Sequence, residues 1–316
     1  MKMILDLDTG IDDALALAYA IAIPEIDLIG VVGSFGNVLV EDGVRNASSL
    51  LHMLGRDNIP VYLGAANSLT QENYSLDDLT KMIHGENGIG NISITEFNSE
   101  SCIKDGVDFI IESIKKYGKD LVIVPTGPLT NLALALRKAP EIKEQIGNVV
   151  FMGGALTVPG NVSLLAEANI YRDAEAADEV FTSGIPLTMV GLDVTRRTIF
   201  TTEDTKDLRN LNTNKSIAYA DMTDYYIRSY EITEPSLNGC ALHDPLAVAV
   251  AVAVMPDLVT THSMFMRCGT TEQDYGRTIG DVSKLKDSNP NVKVCLNVDV
   301  EKFTNHFKES LMTVLK

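Results

Sequence analysis

The sequence predicts an α/β fold, an open and mainly parallel sheet flanked by helices on both faces. Short β-rich runs alternate with helical runs along the chain, and those β-rich runs are apolar throughout. Continuous apolar strands belong to parallel sheets, whose crossover helices cover both faces. No repeat, low-complexity tract or Pro/Ser linker interrupts residues 1–316, so a single domain is expected.

The elements follow in order. Met3 to Leu7 (MILDL) reads as a strand, and Asp12 to Ile23 as a helix stopped by Pro24. Ile26 to Phe35 is a second strand bounded by Gly36. Val40 to Leu54 is a helix with Gly55 just past its end, and Val61 to Gly64 is short and extended. Ile103 to Tyr117 is a helix, Asp120 to Pro125 a strand, and Leu129 to Lys138 a helix. Asn148 to Gly154 is a strand running into glycine, Ala174 to Thr182 a helix, and Pro186 to Asp193 a strand. A tyrosine-bearing helix follows near Lys215 to Tyr230, then a core helix from Asp244 and a last helix from Glu301. Polar residues collect just after the strands, at Asp8 to Asp13, Ser34 to Asn37, Thr126, Gly153 to Asn169 and Asp193 to Thr195. Ligands of open α/β sheets bind outside the carboxyl ends of strands, so these loops are expected to converge on one site.

Charge narrows the partners. Lys and Arg total 26 against 43 Asp and Glu, a formal net charge of −17. Such a surface argues against nucleic acid and against an anionic membrane. A neutral or cationic small molecule, or a metal ion, is the expected partner. Cys102, Cys240, Cys268 and Cys295 are far apart with no CxxC spacing, which argues against zinc and a disulfide framework. Scattered thiols suit a reducing compartment, so a cytoplasmic location is expected. Asp6 and Asp8 interrupt any secretory h-region. The longest apolar run, Leu246 to Met255 between two prolines, is too short for a bilayer and reads as a buried helix.

The start, MKMILDLDTGIDDALALAYAIA, crowds Asp6, Asp8, Asp12 and Asp13 between apolar runs. Buried carboxylates need a partner, and a hard cation with oxygen ligands is one that tolerates crowding. The alternative is that Asp12 only caps its helix and the others are solvated. An EF-hand loop is excluded, because Gly10 and Ile11 stand where an Asp/Asn and a glycine are required. An aspartyl phosphatase would want a threonine two residues after Asp8, where the chain has Gly10.

The stretch DLDTGIDDALAL resembles the signature of the nucleoside hydrolases, the inosine–uridine-preferring family. The resemblance continues, in the family's order, through GN at Gly36–Asn37, HGENGIG at His84 to Gly90, and VPTGPLTN at Val124 to Asn131. It goes on through MGG at Met152 to Gly154, GNVSLLAEAN at Gly160 to Asn169, and LHDP at Leu242 to Pro245. The resemblance implies the nucleoside-hydrolase fold with a tightly bound Ca²⁺. By position, Asp8, Asp13 and Asp244 match the carboxylate ligands and Thr126 a carbonyl ligand. Asp12, Asn161, Glu167 and Asn169 match ribose-binding residues, Asn37 a residue beside the diol, and Asp6 a supporting one. The implied reaction is hydrolysis of the N-glycosidic bond of ribonucleosides to ribose and free base, with Asp8 as general base. The chemistry agrees: an oxocarbenium-like transition state is stabilised by carboxylates, and a metal makes water acidic. A homo-oligomer, dimer or tetramer, is the expected assembly.

On the base side, His243 directly precedes Asp244 and can donate a proton to the leaving base. His84 matches a family histidine near the base. Tyr226 and Tyr230 in DYYIRSY share a helix face, as i and i+4, and match a segment that closes over the base. One departure is Ala168, in AEAN, where the family usually has phenylalanine; it removes an apolar wall from the pocket. The competing reading is a non-catalytic ribose or nucleoside binder on the same fold, and a phosphatase is a third.

Overall fold

The computed structural model describes residues 1–97, 102 and 104–316. The chain opens with β1 (Lys2–Leu7), α1 (Ile11–Ala22), β2 (Asp27–Gly33), α2 (Val40–Met53) and β3 (Val61–Tyr62). It continues with α3 (Asp78–His84), α4 (Gly106–Tyr117), β4 (Leu121–Pro125), α5 (Thr130–Lys138) and β5 (Asn148–Met152). Then come α6 (Ala168–Arg172), α7 (Ala174–Thr182), β6 (Leu187–Val190), α8 (Leu192–Thr195), β7 (Ile199–Phe200) and α9 (Thr202–Asn210). The last third holds α10 (Asn214–Thr233), β8 (Cys240–Ala241), α11 (His243–Val252), β9 (Val259–Met264), β10 (Met266–Cys268) and β11 (Thr278–Gly280). It ends with β12 (Val292–Val298) and α12 (Val300–Val314).

The main sheet has eight strands in the order β3-β2-β1-β4-β5-β6-β12-β9. Every pair in it is parallel except the last, where β9 runs antiparallel to β12. Side chains alternate across β1: Met3, Leu5 and Leu7 enter a core with α1, α11 and α12, and Ile4 enters a core with α4, α5 and α7. Both faces of the strand are thereby dry, which explains its unbroken apolar run.

The topology positions the site. After β1 the chain builds β2 and β3 on one side and returns with β4 on the other. The carboxyl end of β1 therefore lies at a switch in strand order, where the flanking loops part and leave a crevice. Asp8 sits there, one residue past the strand. Two helices aim their N-termini at it, α1 with Asp12 and Asp13 in its first turn and α11 with Asp244 in its own. The positive end of each helix dipole favours those carboxylates.

Several boundaries and strands differ from expectation. The strand expected to reach Asp193 stops at Val190; the Leu192 N–H donates to the Gly154 carbonyl and the chain turns into α8. Strands β9 and β12 were not expected. β9 carries exposed threonine and serine and β12 exposed lysine and asparagine, because they end the sheet where covering is thin. The expected helix start at Ile103 lies outside the described residues. Asp12 does not cap α1: Gly10 is its N-cap, and the Asp13 carboxylate accepts the Gly10 N–H at 2.8 Å. Of the apolar run expected as a buried helix, Leu246 to Val252 lie in α11 and are buried except for half-buried Val250, while the chain leaves the helix at exposed Ala253, in the left-handed region, so Val254 and Met255 lie beyond it. No helix among the described residues is long and apolar enough to cross a membrane.

Candidate active site

The Asp8 carboxylate is fully buried, and its oxygens accept from Asn37, Oδ2 from the backbone N–H at 2.7 Å and Oδ1 from Nδ2 at 3.3 Å. Asp13 Oδ1 accepts from the Thr126 hydroxyl at 2.6 Å, and its Oδ2 accepts from Gly10 and from Asn37 Nδ2. Asp12 Oδ2 accepts from the Tyr226 hydroxyl at 3.3 Å. Asp12 Oδ1 and Asp244 Oδ2 are buried with no hydrogen-bond partner among the described residues. One oxygen each from Asp12, Asp13 and Asp244 lies within 4.8 Å of the others.

Burial is the main force on all four acids. It raises Asp12 to about 7, with Asp13 adding repulsion. Asp8 and Asp244 are pushed well up by burial and by neighbouring aspartates, and Asp13 is raised by burial against its hydrogen bonds. Four acids in one dry crevice repel each other, and unpartnered oxygens add a desolvation cost. The donors are all hard oxygens, with no sulfur and no imidazole among them, the set suited to a calcium- or magnesium-type cation. The residues fit a bound dication.

Of the expected ligands, Asp13 and Asp244 meet in that cluster, joined by Asp12, while Asp8 turns its oxygens to Asn37. The Thr126 carbonyl accepts from Asn169 Nδ2 at 2.6 Å. The expected ribose residues surround the same space. Asp12, Asn37, Asn161, Glu167 and Asn169 line a cavity of about 690 Å³, a volume in the usual range of ligand pockets. Glu167 carries a second task. It is the N-cap of α6, accepting from the backbone N–H groups of Asn169, Ile170 and Gly154. Asn161 Oδ1 accepts the Ala168 N–H at 3.0 Å. Asp6 is buried, accepts from Asn131 Nδ2 at 2.8 Å, and is raised to about 7 by burial. Asn131 also bonds the carbonyl of Gly33 and the N–H of Ala65, stitching β1 and β2 to the segment after β3.

His84, His243, Tyr226 and Tyr230 line the same cavity. Burial lowers both histidines to about 3, with Arg172 and His243 adding to the effect on His84 and Arg196 to that on His243. His84 Nδ1 accepts the Ile11 N–H at 3.2 Å. Gly10 makes room for this contact: a Cβ there would lie 2.7 Å from His84 Nδ1 and 2.8 Å from Asn37 Nδ2. His243 is held at both ring nitrogens, by the Thr195 hydroxyl on Nδ1 and the Tyr230 hydroxyl on Nε2, each at 2.7 Å. Tyr230 stands 3.5 Å from the Tyr226 hydroxyl. Tyr225, the other half of the YY pair, packs on Gly90 and Arg228. Of the remaining histidines, His306 bonds Tyr19 and His52 bonds Asp57.

A sequence profile of the inosine-uridine preferring nucleoside hydrolases matches residues 3–305. This chain is a nucleoside hydrolase. The enzyme is 51% identical to the purine-preferring ribonucleoside hydrolase from Gardnerella vaginalis, with a TM-score of 0.97 over 100% of this chain and 99% of that one. It is 34% identical to uridine nucleosidase 1 of Arabidopsis thaliana, over 98% of this chain and 93% of the relative. It is 35% identical to the pyrimidine-specific ribonucleoside hydrolase RihA of Shigella boydii, over 98% of each. Nucleoside hydrolases cleave N-glycosyl bonds of ribonucleosides, and the acid-lined cavity of this one can hold a metal ion.

Sequence reasoning missed two groups of this nucleoside hydrolase, Arg172 and Tyr74, and gave Thr195 no individual role. Arg172 had a signal, since it stands one helical turn after the unusual Ala168. Thr195 lay in a stretch already marked as polar after a strand. Tyr74 lies on an irregular segment with no periodicity to mark it.

Proposed function

We propose that residues 1–316 act as one calcium-dependent N-ribohydrolase domain that releases free base and ribose from ribonucleosides. The observation that carries this is the cluster of buried, partly unpartnered aspartates at the carboxyl end of β1, on the wall of a nucleoside-sized cavity. Asp8, Asp13, Asp244 and the Thr126 carbonyl would hold the ion, with Asp12 beside it. When bound, the cation would neutralise the clustered charge and lower the pKa of a water it holds, easing loss of that proton to a nearby base. Asp8 accepts that proton as general base, steadied by Asn37. Asp12, Asn161, Glu167 and Asn169 hold the ribose hydroxyls, and the same acids stabilise positive charge developing on the sugar.

The leaving base is served through Tyr230. With Thr195 donating to Nδ1, neutral His243 carries its proton on Nε2 and donates it to the Tyr230 oxygen. The Tyr230 hydroxyl is then free to donate a hydrogen bond to the leaving base and steady its developing negative charge, while neutral His243 keeps its proton and holds that hydroxyl in place. His84 and Tyr226, with ring centroids 5.3 Å apart, flank the base.

Purine ribonucleosides are inferred to be taken ahead of pyrimidine ones. Support comes from the Gardnerella relative, whose identity exceeds that of the pyrimidine-directed relatives. Ala168 also widens the pocket where phenylalanine is usual. The test is to incubate inosine, guanosine, uridine and cytidine with the purified chain and to quantify free base. Release from none of them would refute the hydrolase reading, and faster release from uridine would refute the purine preference.

A further inference from the structure

Arg172 ends α6 and lines the substrate cavity one turn past Ala168. Its guanidinium crosses to the opposite wall. Nε donates to the Tyr74 hydroxyl at 3.2 Å, and Nη2 donates to Asn37 Oδ1 at 3.3 Å and to Thr80 Oγ1 at 3.4 Å. Nη1 is buried with no partner among the described residues. Tyr74 in turn donates to the carbonyl of Gly36, the residue before Asn37, at 2.5 Å. Arg172 and Tyr74 therefore grip the same turn from two sides.

That turn holds Asp8. The Asn37 amide has one acceptor and one donor end, and the two must face different groups. With Oδ1 accepting from Arg172, Nδ2 faces the carboxylates of Asp8 and Asp13 at 3.3 Å each. The reversed amide would set its NH₂ against a guanidinium and its carbonyl against two carboxylates. A planar guanidinium supplies several donors in fixed directions, which a lysine cannot imitate.

We propose that Arg172 is a positioning residue for hydrolysis, acting through the Asn37 amide to hold the Asp8 carboxylate in one orientation. It also ties the segment bearing Tyr74 and Thr80 to that amide. The inference rests on Asp8 serving as the base in the proposed reaction.

A double-mutant cycle tests it, using wild type, Arg172→Met, Asn37→Ala and the double variant, with base release from inosine as the readout. Arg172→Met should lower kcat by about 10–100-fold with KM within about threefold, the size expected for a misplaced catalytic group. In the Asn37→Ala background the same change should cost less than about threefold. Millimolar guanidinium should raise kcat of Arg172→Ala and leave Arg172→Ala/Asn37→Ala unchanged. If Arg172→Met does not fold, Arg172→Lys carries the cycle. Losses that multiply across the two sites, or guanidinium rescue without Asn37, would overturn the proposal and leave the hydrolase reading intact. A wild type inactive on every ribonucleoside would instead remove that reading and the proposal with it.

Discussion

Replacing Gly36 with alanine places a methyl where the Asp8 carboxylate already is. A Cβ on Gly36 would lie 1.9 Å from Asp8 Oδ2 and 2.7 Å from Asp8 Cγ. Relief to a tolerable contact needs a shift of about 1 Å or more. Asp8 cannot make it freely, because Oδ2 accepts the Asn37 N–H at 2.7 Å and the carboxylate is fully buried. Breaking that charge-assisted hydrogen bond in a buried site costs about 1.5–3 kcal/mol. Gly36 also has φ +153, outside the range an alanine adopts without strain, adding about 1–2 kcal/mol. The lower chain entropy of alanine when unfolded offsets about 0.5 kcal/mol. The net loss, about 2–4 kcal/mol, corresponds to a Tm fall of roughly 3–6 °C for a chain of this size. Activity should fall further than stability explains, by about 100-fold in kcat at 25 °C, since 1 Å of misplacement at a reacting group costs that much. Circular dichroism melts and steady-state release of base from inosine measure the two effects. A variant with kcat within threefold of wild type and an unchanged Tm would show that the Gly36–Asn37 turn does not set the position of Asp8.

Asp8→Asn should abolish turnover, by about 10³-fold or more, while the melt stays cooperative; activity within tenfold of wild type would remove Asp8 from the centre of the reaction. His243→Ala should slow inosine and uridine by roughly 10²–10⁴ and spare a p-nitrophenyl riboside, whose leaving group needs no proton. Tyr230→Phe should show the same selectivity, whereas equal loss on both substrates would point to damage at Asp244. Elemental analysis should find calcium near one equivalent per chain, and chelation should lower the Tm with calcium restoring it; stoichiometric zinc would contradict the oxygen-only donor set. Early proton NMR of the product should show α-ribose from a β-nucleoside, by single displacement, and early β-ribose would require a covalent ribosyl-enzyme.

The fold was readable because a parallel sheet leaves a strong mark. β1, β2, β4 and β5 are apolar runs followed by helices with clear stops, and the helix Ala174 to Thr182 was expected at both of its ends. The marks fade at the rim. β9 and β12 complete the sheet with threonine, serine, lysine and asparagine, and half-exposed strands lack the apolar run that betrays central ones. Chain order also misleads there, since β12 joins β6 across most of the last third of the chain. The candidate site was readable as a set of loops, because carboxyl ends of parallel strands share one edge. Which oxygen faces which neighbour was not. Asp8 and Asp12 lie four positions apart in one motif, yet one turns to Asn37 and the other to Tyr226. Those choices depend on residues far along the chain that no local pattern links to the motif.

The acid cluster is destabilising taken alone, and the fold offsets it with several weak positive fields. The first turns of α1 and α11 direct backbone N–H groups and dipoles at Asp12, Asp13 and Asp244. Thr126, Asn37 and Gly10 donate hydrogen bonds to Asp13, and Arg172 adds a buried cation near Asp8 and Glu167. None of these reaches Asp12 Oδ1 or Asp244 Oδ2, which stay unpartnered although buried. A fold that supports its acids with these donors and leaves one oxygen each of Asp12 and Asp244 bare keeps negative charge uncompensated within the cluster, the condition a bound cation relieves. Asp12 and Asp244 also line the cavity, so acids whose crowding costs stability lie where a positive charge, bound or developing, would lower that cost.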